Sequence, residues 1–127
     1  MEDKVELDQI TRRIIGAAIE VHREVGPGLL ESAYEECLCH ELHLRGLSFE
    51  RQVPLPISYK GLNLECGYKI DLIVEQTVVV ELKAIEKILP IHEAQLLTYL
   101  KISGKRVGLL INFNSSLLTQ GIIRRVL

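Results

Sequence analysis

The seventeen residues YKIDLIVEQTVVVELKA, from Tyr68 to Ala84, constrain the fold of this chain more than any other stretch. Two runs rich in Ile, Leu and Val flank Glu75-Gln76-Thr77, and the β-branched Val78-Val79-Val80 favours a strand. If Glu75, Gln76 and Thr77 form a three-residue hairpin loop, cross-strand partners have numbers summing to 152. Asp71 then faces Glu81, with Cβ atoms roughly 4.5–5.5 Å apart. Glu81 and Lys83 are two apart on one strand, so both emerge on the same face, while Val80 and Leu82 point into apolar packing.

The remainder supplies what such a strand pair needs for cover. From Leu7 to Val25, apolar residues recur at Leu7, Ile10, Ile14, Ala17, Ala18, Val21 and Val25, the spacing of an amphipathic helix. Gly26-Pro27-Gly28 ends it. A second helix is predicted from Leu29 to Arg45, closed by Gly46, with Leu30, Ala33, Tyr34, Cys37, Leu38, Glu41 and Leu44 facing inward. So short a connection packs the two as a hairpin.

Residues 48–60, interrupted by Pro54 and Pro56, suit an edge strand, and residues 62–74 and 77–83 a second and third. Pro90 opens a helix over 91–102, capped by Gly104. Residues 106–112 form a short strand, and a final strand or tail runs to Leu127. The expectation is one α/β (α+β) domain over residues 1–127, a mixed central sheet flanked by helices in the order ααβββαββ.

Composition narrows the classes. Apolar residues at 47% can build a core, and aromatics at 5% make it aliphatic. A net charge of −2 advertises no long nucleic-acid groove, although it allows a local basic rim around an acidic centre. Three cysteines without framework spacing fit a reducing cytoplasm. The opening MEDKVELDQI has no leader pattern, and no apolar stretch approaches the roughly 18 residues of a membrane span. A cytoplasmic protein with no membrane partner is expected.

Two facing carboxylates repel unless a positive charge lies between them. Mg²⁺ seeks oxygen ligands of this kind and keeps several waters. Lys83 is placed to position such a water or to stabilise a phosphate oxygen, and a cation makes a hydroxide-like nucleophile available near neutral pH. The plain alternative is a solvated strand face with a cross-strand salt bridge. The same register sets Lys69 against Lys83, a like-charge pair that a bulge or an anionic substrate would relieve.

Asp71, nine residues, then Glu81-Leu82-Lys83 resembles the signature of PD-(D/E)xK nucleases. Upstream, Gly28-Leu29-Leu30-Glu31-Ser32-Ala33-Tyr34 is similar to the motif of the small GxxExxY proteins of that superfamily. Downstream, Gln95-Leu96-Leu97-Thr98-Tyr99 resembles the QxxxY element of its exonuclease branch. Ile70, where the signature has Pro, is a departure.

The resemblance implies a restriction-endonuclease-like core and Mg²⁺- or Mn²⁺-dependent hydrolysis of phosphodiester bonds, in DNA ahead of RNA. It makes Asp71 and Glu81 metal ligands, Lys83 the catalytic lysine and Glu31 a further acid at the metal. Gln95 and Tyr99, one turn apart on a helix, would contact substrate, with Tyr34 beside them. For Tyr34 the competing account is a core position with its hydroxyl satisfied at the edge. For Glu31 it is a favourable place against the helix dipole.

Other signals carry less. Cys37, Cys39, His40 and His43 divide over two faces of one helix, so zinc is set aside in favour of a buried Cys37 and exposed histidines. His92 lies one turn before Gln95 and could approach the site. Arg12, Arg13, Arg124 and Arg125 read as solvated surface. Three functions remain open: a metal-dependent nuclease, a catalytically silent nuclease-fold binding or assembly module, and a subunit of a repair or defence complex. An exposed edge strand leaves room for a homodimer.

Overall fold

Helix α1, Lys4–Val25, stops where Gly26 takes φ +68° and its N–H donates back to the His22 carbonyl at 2.7 Å. A computed structural model describes residues 4–127; Met1–Asp3, the start of the stretch read as lacking a leader, lie outside it. The buried face of α1 is Leu7, Ile10, Ile14, Ala17, Ala18 and Val21, as its periodicity predicts, but Val25, the last of the series, is exposed where the helix ends. His22 is also buried, its Nε2 within 2.7 Å of the Ser115 carbonyl, which ties α1 to the far end of the sheet.

Helix α2, Glu31–Leu44, packs beside α1, but on a face rotated from the expected one. Tyr34, Glu35, Leu38, Cys39 and Leu42 are buried, whereas Leu30 and Leu44 are 78% and 64% exposed. The reason is Arg51 on the neighbouring strand. Its guanidinium meets Glu35 at 2.8 Å, so a charged position turns inward and shifts the buried stripe by one residue. Cys39, not Cys37, is therefore the buried cysteine, and burial pushes its thiol up to about 11.

The sheet runs β1 (Phe49–Pro54), β4 (Lys69–Val74), β5 (Val78–Lys83), β6 (Val107–Asn112), β7 (Ile122–Val126) in spatial order. All neighbours are antiparallel except β5 and β6, which are parallel and joined through α3, Pro90–Ser103. This is the expected mixed sheet flanked by helices. The strand count differs. The segments read as one strand each over 48–60 and 62–74 both break, and their inner halves, β2 (Ile57–Tyr59) and β3 (Leu62–Leu64), pair as a separate two-stranded ribbon. Pro56 lacks the N–H a continuing ladder would need. Lys60 and Gly61, both at positive φ, close the tight turn between the ribbon strands.

Apolar packing divides by sheet face. Leu72, Val80, Leu82, Leu109 and Ile111 face α1 and α2, while Ile73, Val79 and Leu110 face Leu96, Tyr99 and Leu100 of α3. Val78 through Leu82 are all 6% exposed or less, so β5 is the central strand. Each fully buried Val or Leu there stabilises by about 1.5–3 kcal/mol before the entropy of ordering it. α3 lies directly on β6 because Gly108 has no Cβ; one added there would stand 2.7 Å from Leu96 Cδ1. Among the described residues, no helix is long and apolar enough to cross a membrane.

Candidate active site

The hairpin loop is Glu75-Gln76-Thr77, and Leu72↔Val80, Ile73↔Val79 and Val74↔Val78 pair in the expected register. There the ladder stops. Beyond Leu72 the strands part, and two side chains bridge the gap. The Asp71 N–H donates to Glu81 Oε2 at 2.7 Å, and the Leu82 N–H donates to Asp71 Oδ2 at 2.9 Å. Lys69 and Lys83 never meet: Lys69 pairs with Pro54 of β1, and Lys83 with Asn112 of β6. The parting of the strands thus removes the like-charge pair that the register would have imposed.

β4 also turns over at this point. Ile70 packs with Ile73 under α3, although strict alternation would group it with Leu72 on the opposite face. On the other side of β4 the ladder to β1 skips Gln52 and Asp71 between Arg51↔Leu72 and Val53↔Ile70. Gln52 has φ +49°, a left-handed conformation costing roughly 1–2 kcal/mol for a residue with a Cβ. The twist sends its amide to Glu35 Oε1 at 2.6 Å and to Asp71 Oδ1 at 3.3 Å.

Glu31 reaches the same place from α2, for a reason visible in its neighbours. Gly28 at φ +105° turns the chain, and the Tyr34 hydroxyl clamps that turn, donating to the Gly26 carbonyl at 2.5 Å and accepting from the Leu29 N–H at 3.1 Å. Tyr34 is fully buried and stacked on Phe113, with ring centroids 4.5 Å apart. This corrects the placement of Tyr34 among substrate contacts: both faces and the hydroxyl are taken by the protein. Its work is to fix where α2 begins, and hence where Glu31 stands.

Two open clefts are lined by residues of the candidate site. One, of about 670 Å³, is lined by Glu31, Glu35, Glu36, Arg51, Gln52 and Asp71. The other, of about 590 Å³, lies between the β2–β3 ribbon and α3, and Lys83, Gln95 and Tyr99 are part of its wall. Gln95 donates from Nε2 to the Tyr99 hydroxyl at 3.2 Å, so the two share one face of α3 as expected. Tyr99 is otherwise sunk in the core beneath α3. His92 borders this cleft, but its Nδ1 accepts the Leu89 N–H at 2.9 Å and caps α3.

The carboxyls carry the marks of crowding. Burial, then the charge on Asp71, pushes Glu81 up to about 8. Burial also raises Asp71, against the opposing hydrogen bonds from the Leu82 amide and Gln52. Glu31, more open to solvent, is raised by partial burial and by Asp71. The Tyr99 hydroxyl is raised by burial and by Glu81. Lys83 lowers all three acids and, among the described residues, forms no ion pair of its own.

A cation fits this donor set in one respect and not in another. Two adjacent carboxylates with raised pKa values are what a site for a hard cation looks like without its charge, and Mg²⁺ needs only one or two of them. Yet among the described residues no three His, Cys, Asp or Glu side chains converge as a metal cluster. Glu31 lines the same cleft as Asp71, and its charge acts on Glu81 as that of Asp71 acts on it. An oxygen of each paired carboxylate is engaged with backbone.

The comparison with known proteins agrees with this architecture. The family model of the PD-(D/E)XK nuclease superfamily matches residues 8–126, nearly the whole chain. The chain belongs to the PD-(D/E)XK nuclease superfamily. No curated protein and no solved structure matches it. PD-(D/E)XK nucleases generally use divalent metals.

Reading the sequence for a PD-(D/E)XK pattern missed Gln52, Glu35 and Arg51. Glu35 carried a signal, since it lies one turn after Glu31 on α2. Gln52 carried none, because only the β1–β4 register places it against Asp71.

Proposed function

We propose that this protein is a metal-dependent nuclease of the GxxExxY group, hydrolysing phosphodiester bonds in DNA ahead of RNA, in the cytoplasm. The observation that carries the reading is the strand gap, where Asp71 and Glu81 meet with raised pKa values and Lys83, in no ion pair among the described residues, lies near them. Asp71 and Glu81 would hold Mg²⁺ or Mn²⁺, and Glu31 adds negative charge from the start of α2. Such a cation, when bound, would neutralise phosphate charge and lower the pKa of a water.

The other steps belong to the chain itself. Lys83 donates to a phosphate oxygen as negative charge builds on it. Gln95, steadied by Tyr99, offers its amide to the substrate backbone from α3. Gln52 and Glu35 hold Asp71 in place from behind.

A second reading is a nuclease-fold module without turnover, serving binding, assembly, or a larger repair or defence complex. One observation favours it: an oxygen of each paired carboxylate already accepts a backbone N–H. Calorimetric titration of Mn²⁺ into wild type and Asp71→Asn, followed by incubation with labelled single- and double-stranded DNA, separates the two. Binding and cleavage lost together in the variant support the nuclease. Binding without cleavage in wild type supports the silent module, and no binding at all returns Asp71, Glu81 and Lys83 to a charged strand face.

A further inference from the structure

The two clefts differ in character. The α2-side cleft presents four carboxylates, Glu31, Glu35, Glu36 and Asp71, against one guanidinium that already pairs with Glu35 and Glu36. Away from a cation on Asp71, these acids repel a phosphate chain from that side. Among the described residues no carboxylate lines the α3-side cleft, and Lys83 is its cation. Its walls are largely apolar, with Ile57 and Leu64 from the β2–β3 ribbon facing Ile91 of α3. Tyr68 lies in the cleft, 44% exposed, and meets Tyr99 edge to face at 6.4 Å between centroids.

Much of the arginine charge elsewhere on the surface is already committed. Five of the eight arginines, Arg23, Arg45, Arg51, Arg124 and Arg125, are held in ion pairs with the protein's own carboxylates. Paired bases hide their faces within a helix and offer phosphates outward, so a duplex has nothing to place in an apolar, aromatic cleft. An unpaired base does, and base–aromatic stacking is indifferent to sequence.

We infer that the cleft between the β2–β3 ribbon and α3 receives an unpaired nucleobase against Tyr68, which makes single-stranded nucleic acid the substrate class of this site. The inference rests on the nuclease reading, since the cleft shares Lys83, Gln95 and Tyr99 with the centre proposed there. A base against Tyr68 puts its neighbouring phosphate beside Lys83, and the acidic cleft opposite keeps the strand on this side.

The test is fluorescence anisotropy with a fluorescein-labelled single-stranded 12-mer and the blunt duplex of the same sequence. It is run with Ca²⁺, and the probe is checked for integrity by gel. The single strand is expected to bind at least about fivefold tighter than the duplex, and Tyr68→Ala to lose about fivefold or more of that affinity. Tyr68→Phe, which keeps the ring, should bind like wild type. Calorimetric affinity for Mn²⁺ should be the same in all three proteins, which separates this test from that of the metal centre. Equal or tighter duplex binding, or an unchanged Tyr68→Ala, overturns the inference while the metal reading stands. A Tyr68-dependent dimer in sedimentation velocity overturns it as well, by assigning the apolar walls to a second copy of the chain.

Discussion

Asp71 and Glu81 hold each other's strands: the Asp71 N–H donates to Glu81 Oε2, and the N–H next to Glu81, that of Leu82, donates to Asp71 Oδ2. Each carboxylate replaces a ladder bond, with one of its two oxygens, at the point where the strands separate.

Removing charge and removing the acceptor should therefore have different effects. Asp71→Asn keeps an oxygen for the Leu82 amide, whereas Asp71→Ala leaves that amide without a partner. Urea denaturation should find Asn more stable than Ala by about 1–3 kcal/mol. Mn²⁺ affinity should fall in both. Equal stabilities would show that the bridging bond contributes nothing.

The pH dependence has a definite sign. Glu81 titrates near 8 in the fold, against an ordinary value of 4.5, and Asp71 and Glu31 are shifted the same way. The folded chain holds these protons more tightly than the unfolded one. The stabilisation is fully present below about 4.5 and is lost as pH rises through about 8. The metal-free protein should melt at progressively lower temperature from pH 5 to pH 9, and Mg²⁺ or Mn²⁺ should restore the high-pH side. Glu81→Gln should flatten the profile. A wild-type profile already flat over this range would sink the idea.

Gln52 donates to Asp71 and to Glu35, and would act on a bound cation through Asp71. Gln52→Ala removes the amide between Glu35 and Asp71, and partners of this kind typically change metal affinity by about 10–100-fold. Calorimetry should show a loss in that range with far-UV circular dichroism unchanged. Gln52→Gly, which suits the positive φ, should lose the same affinity yet be more stable than Ala.

Tyr34→Phe keeps the stack on Phe113 and deletes the clamp on Gly26 and Leu29. The expected cost is about 1–3 kcal/mol from the abandoned N–H and C=O, read by urea denaturation. Hydrogen exchange should quicken at Leu29 and Leu30, ahead of the rest of α2. Slow exchange there in the variant would mean that the stack alone sets the turn.

Lys83→Ala should leave Mn²⁺ binding intact or tighter, since a positive charge next to the acids is gone, while cleavage of labelled DNA is abolished. Loss of metal binding in this variant would place Lys83 in a structural role instead.

Local pattern was enough for much of this fold and failed where elements cooperate. The β4–β5 register and the buried face of α1 followed from spacing, because period and loop length are properties of neighbouring residues. The rotation of α2 did not, because it depends on Arg51, a residue 16 positions from Glu35. The ribbon of β2 and β3 was hidden inside two longer expected strands, although Pro56 and Gly61 marked its limits. At the site, the nearness of Asp71 and Glu81 was legible, whereas the ladder pairing expected of them gives way to a separation of their strands. Tyr34 stood in a motif whose spacing looked chemical, but its hydroxyl serves the turn that presents Glu31.

β7 has a consequence for how this protein survives in a crowded solution. It covers β6, all six of whose residues are buried, and it is tied down on both sides, Arg124 to Asp8 of α1 at 2.6 Å and Arg125 to Glu93 of α3. Without it, Val-Gly-Leu-Leu-Ile-Asn would lie along an open sheet edge, an uncharged, aliphatic template for strands of other molecules. The arginines of β7 are thus less a nucleic-acid patch than a latch, and a chain that loses it would be lost to aggregation before its chemistry could matter.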